Sequence, residues 1–87
     1  MAGYHDLLYI LDSKCLTRER MEWVLQKIDD YVYETHSVID RNEAAYVRMM
    51  EICQKEAREE FKREPTQDEI AFIEAKVNQF LISRKLH

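Results

Sequence analysis

Glycine and proline are almost missing from this sequence: Gly3 and Pro65 are the only ones among 87 residues. A single glycine excludes the Gly-rich loops that cradle phosphates and the strained turn of a nucleophile elbow. No apolar run approaches the roughly 20 residues that a membrane-spanning helix needs. Histidine and cysteine are scarce too. The residues three before His5, His36 and His87 are Ala2, Tyr33 and Arg84, so no Glu-x-x-His pair exists, and neither His-Glu-x-x-His nor Cys-x-x-Cys occurs. These absences set the expectation of no enzyme, no cofactor and no metal. Cys53 falls on an apolar helical stripe and reads as a buried, inert thiol. His36 and Asp40, one helical turn apart, read as a polar hinge rather than as a proton or metal site.

The start of the chain, Met1 to Asp6, lacks the basic segment and apolar run of a secretory signal. With only Cys15 and Cys53 present, the expectation is reduced thiols and a soluble, cytoplasmic protein. Basic charge is also short: 13 Lys and Arg against 17 Asp and Glu, a net −4. That balance argues against direct nucleic-acid binding, which needs a basic footprint.

What the chain does have is helical periodicity. The stretch from Thr17 to Glu64 holds neither glycine nor proline. As one straight helix it would run about 70 Å, so it bends back or stands out as a rod. Tyr4, Leu7, Leu8 and Leu11 repeat at i, i+3, i+4, i+7 and predict a short helix over 3–12; Asp12 to Cys15 reads as a connector. Thr17 is a candidate N-cap, with Leu16 and Met21 at the spacing of a hydrophobic staple. Met21, Val24, Ile28, Tyr31, Thr35 and Val38 then step 3-4-3-4-3, which predicts a second helix over 17–36 with a coiled-coil-like seam. Thr35 to Asp40 are poor helix formers. Asp40 with Glu43 and Ile39 with Ala44 repeat the cap and staple signals, so a break falls near 36–40. A third helix over 40–63 carries Tyr46, Met49, Met50, Cys53, Ala57 and Phe61 on one side. Its other side is charged, with Glu51–Lys55 and Glu59–Arg63 spaced for ion pairs. Pro65 stops it. Thr66 and Glu69 form a capping box for a fourth helix over 67–84, burying Ile70, Ile73, Val77, Phe80 and Leu81. The predicted fold is an all-α single domain over 1–87, a bundle of three to four helices with the second and third as an antiparallel hairpin.

Some apolar residues are left over. At about 100° per residue, Trp23 points away from the seam, beside Glu19, Gln26, Asp30 and Tyr33. Opposite the core stripe of the fourth helix lie Phe72, Ala75, Ile82 and Leu86. A monomeric bundle needs one stripe per helix. Either the first helix or the C-terminal residues wrap over these positions, or a partner covers them. Asp29 to Glu34 interleaves acids with aromatics and offers a second candidate surface, suited to a basic partner. The candidate partner-binding residues are therefore Trp23, Asp30, Tyr33, Phe72 and Ile82, and the expected partner is another protein or a second copy.

Three segments carry a resemblance: Asp6-Leu7-Leu8, the run from Thr17 to Lys27, and Asp40-Arg41-Asn42-Glu43-Ala44-Ala45. They resemble the short first helix, the Thr-led second helix and the acid-capped third helix of the Hha/YmoA family of nucleoid-protein modulators. The sequence departs from that family in a longer link between the second and third segments, in lacking an Ala-Ala-Asp-His run, and in its Pro65-led last helix. The resemblance implies binding to an H-NS-like partner and no enzymatic activity. The function expected from the residues themselves is a non-enzymatic helical interaction module, whether regulatory subunit, adaptor, inhibitor or structural subunit; the alternative is the Hha-like transcription modulator.

Overall fold

A computed structural model describes residues 4–84. Helix α1 spans Tyr4–Ile10 and runs on into a π-helical turn over Leu11–Cys15, followed by α2 (Arg18–Thr35), α3 (Arg41–Phe61) and α4 (Gln67–Arg84). The described residues contain no strand. Helix α3 is the centre of the bundle: α2, α4, α1 and the π-helical turn all pack on it. The molecule measures 46 × 24 × 22 Å. A rod over 17–64 would be about 70 Å long, so the hairpin of α2 and α3 is the observed solution.

The caps explain where the helices start. Thr17 Oγ1 accepts from the Arg20 amide at 3.2 Å, and the staple residues Leu16 and Met21 are both buried. Asp40 accepts from the amides of Asn42 and Glu43 at the head of α3. Thr66 and Glu69 form the reciprocal box at α4: the Thr66 amide donates to Glu69 at 2.8 Å, and the Glu69 amide to Thr66 Oγ1 at 3.2 Å. Helix ends are less conventional. Both α2 and α3 end on a residue with positive φ, His36 (57°) and Lys62 (61°), each donating its amide to the carbonyl four residues back. Glycine usually fills that left-handed position, and this sequence has none to spare. Helix α3 thus stops at Lys62, before Pro65 takes effect.

The core follows the expected stripes with some changes. Met21, Val24, Ile28, Met49, Met50, Cys53, Ala57, Ile73 and Val77 are buried; Tyr46, Phe61, Ile70, Phe80 and Leu81 pack half-buried around them. Ile10 and Ala45 join the core. The α2 seam fails at its last steps: Tyr31 and Thr35 are exposed, and Val38 is fully exposed. The backbone leaves the helix at Thr35, so Val38 no longer obeys helical spacing. The expected connector at 12–15 is helical instead. The Leu16 amide donates to the Leu11 carbonyl at 2.6 Å, a bond five residues long. An α-helix turns once in about 3.6 residues, so every fourth residue drifts round its axis. The wider π turn reverses the drift, and Leu7, Leu11 and Cys15 all reach 0% exposure.

Candidate functional site

Helix α2 carries three exposed large aromatic residues, Trp23, Tyr31 and Tyr33. Trp23 is 48% exposed, and its ring is flanked by Arg20 (5.8 Å) and Lys27 (5.7 Å) of the same helix. Glu19 lies beside it as expected, and two cations one turn away on either side also stack on the indole, each worth about 0.5–1 kcal/mol when exposed. A cleft of about 610 Å³ opens beside it, lined by Ser13, Lys14, Thr17, Glu19, Arg20 and Trp23. One turn on from Trp23, Lys27 also lines a second groove.

That second groove, of about 540 Å³, lies at the turn between α2 and α3. Ile28 and Ala44 form its floor, and Tyr31, Val38, Ile39 and Val47 its apolar walls. Those four wall residues are 53%, 100%, 37% and 49% exposed. Lys27 and Arg48 line it with positive charge, and Asp40 and Glu43 with negative charge. Arg41 ties the hairpin shut nearby, donating to Asp29 at 3.2 Å. Trp23, Lys27 and Tyr31 are spaced i, i+4, i+8, so one sloping row on α2 leads from the indole to the groove.

The other predicted site residues fall in different places. Asp30 is exposed and accepts from the Gln26 side-chain amide at 2.9 Å. Tyr33 is 82% exposed on α2. Phe72 is half-buried, its ring 5.3 Å from that of Tyr4 on α1, so the first helix partly covers the back of α4. Ile82 is 75% exposed in the last turn of α4. Leu86 and His87 lie outside the described residues. Trp23, Asp30 and Tyr33 share α2, whereas Phe72 and Ile82 share α4. Sequence reasoning missed Val38, Ile39 and Val47 as surface. The signal for them was the run of poor helix formers at 35–40, which takes Val38 out of the seam.

Asp40 is occupied by its cap and His36 forms the end of α2. Among the described residues no group of three or more His, Cys, Asp and Glu converges as metal ligands would. No described helix is long and apolar enough to cross a membrane. Arg63 donates to both Glu69 oxygens at 2.8 and 2.9 Å, instead of pairing with Glu59 as spacing suggested, and Arg48 takes Glu51. The Arg63 guanidinium, and then the Thr66 amide, hold the Glu69 carboxyl down to about 2. No family model, curated protein or solved structure matches this chain.

Proposed function

We propose that this protein is a non-enzymatic helical interaction module that binds another protein through the α2 face running from Trp23 to the turn groove. The observation that carries this reading is the exposed apolar set Tyr31, Val38, Ile39 and Val47 around one groove. Exposed apolar groups gathered in one concave place, with charge at the rim, are the anatomy of a recognition site. Its occupant is an amphipathic helix of the partner, its apolar side in the groove and charges of both signs meeting Lys27, Arg48, Asp40 and Glu43. Trp23 serves as the second anchor, a residue type enriched at binding hot spots. The Hha/YmoA resemblance makes an H-NS-like nucleoid protein the first partner to try.

Val38→Asp and Trp23→Ala test the reading. Val38 is fully exposed, so its substitution should change stability by less than about 0.5 kcal/mol; Trp23→Ala should cost about 1 kcal/mol, through its two stacked cations. Both should abolish partner capture while the fold, followed by circular dichroism, is kept. Sedimentation over a range of concentrations shows whether the partner is a second copy. Capture and sedimentation unchanged in both variants would overturn the proposal.

A further inference from the structure

Cys15 and Cys53 are 38 positions apart in the chain, yet the fold brings their side chains into contact. Both are at 0% exposure in the core, one at the end of the π-helical turn and the other in the middle of α3. They belong to the same buried cluster, and each thiol shifts the ionisation of the other. The turn that delivers Cys15 is the single departure from α geometry within the described helices, and such π insertions in helices are frequent at functional positions. Residues 4–15 pack on α3, and the Lys14–Glu60 pair at 3.4 Å is an exposed tie beside them.

We propose that Cys15 and Cys53 form a dithiol–disulfide pair, whose oxidation covalently fastens the N-terminal segment 4–15 to the central helix. The two thiols are not equivalent. Cys53 is pushed far up, by its interaction with Cys15 and by burial. Cys15 is pulled down by its interaction with Cys53, with Arg20 of α2 and Lys14 of the turn adding to the effect, while burial and Glu56 of α3 oppose it. Cys15 lies at the end of the segment that lifts from α3, which makes it the attacking group.

The chemistry is exchange with a soluble disulfide. When segment 4–15 lifts from α3, the Cys15 thiolate attacks one sulfur of the oxidant and expels the other as a thiolate. On reclosure Cys53 loses its proton to that thiolate or to solvent and attacks Cys15 Sγ, expelling the second thiol. The protein loses two electrons and two protons, and one oxidant disulfide becomes two thiols. The outcome depends on contact between two native elements, so it requires the folded chain.

The test uses the full-length protein, purified reduced and incubated at about pH 8 with oxidised glutathione. After the remaining thiols are blocked with a maleimide, intact mass and peptide mapping report the products. The expected result is a monomer lighter by two hydrogen atoms, with a Cys15–Cys53 cross-linked peptide. Its Tm should rise by about 10 °C, and a reducing agent should reverse both changes. Cys53→Ser should stop at a glutathione adduct on Cys15, and Cys15→Ser should react more slowly than the wild type. Two results on the wild-type chain overturn the proposal. In one, both thiols stay free until the chain is unfolded, which makes them inert core residues. In the other, the only products are glutathione adducts or dimers joined between chains.

Discussion

Glu69 shows how much one side chain of this protein does. Its carboxylate closes the cap of α4 and takes both arms of Arg63 while being itself buried. Its pKa is depressed to about 2 in the fold, against about 4.3 in an unfolded chain. A depressed carboxylate lends stability above its unfolded pKa and loses it as pH falls towards the folded one. Stability measured by urea unfolding should therefore fall between about pH 5 and pH 2. Glu69→Gln should lower stability at pH 6 by about 1–2 kcal/mol, the exposed side of the pair being screened, and should flatten the acid slope. A wild-type stability independent of pH over that window would refute this account of the α4 cap.

The elements begin well and end poorly. Thr17, Asp40 and Thr66 each supply a side-chain oxygen at a helix start, but the ends of α2 and α3 rest on His36 and Lys62 in left-handed geometry. That geometry costs a residue with a Cβ roughly 1 kcal/mol. His36→Gly and Lys62→Gly should each stabilise the protein by about 0.5–1 kcal/mol, seen as a higher Tm; a loss in both would mean that the side chains there make contributions of their own. The starts were legible in the sequence because a cap is local: oxygen, spacing and staple all sit within five residues. The stripes of α3 and α4 were legible for the same reason, since 3.6-residue periodicity is local. The π turn was not, because Asp12, Ser13 and Lys14 look like a connector. Only the demand that Leu7, Leu11 and Cys15 share one face makes them helical. Nor was the meeting of Cys15 with Cys53 or of Tyr4 with Phe72 legible, because each depends on how separate elements pack.

At the scale of the whole molecule, the same hairpin produces both the fold and its exposed face. The other elements pack on α3, and α2 forms a flank whose outer row leads to the turn. The radius of gyration, 13.6 Å, exceeds the roughly 12 Å of a compact chain of this length, in keeping with an elongated bundle that presents long sides. A core this small gives modest stability, and covering the groove would add to it. The candidate site was half legible: spacing marked Trp23 as surplus to the core, but counted Tyr31 and Val38 into the seam. The most direct measurement of the central claim places a photo-crosslinking amino acid at Val38 in one preparation and at Glu74, on the exposed side of α4, in another. Irradiated in the cell that expresses the protein, the position 38 variant should give one defined protein adduct, another protein or a second copy, and the position 74 variant none. No adduct at 38, or the same adducts at both positions, would contradict the assignment of the α2 face as the binding surface.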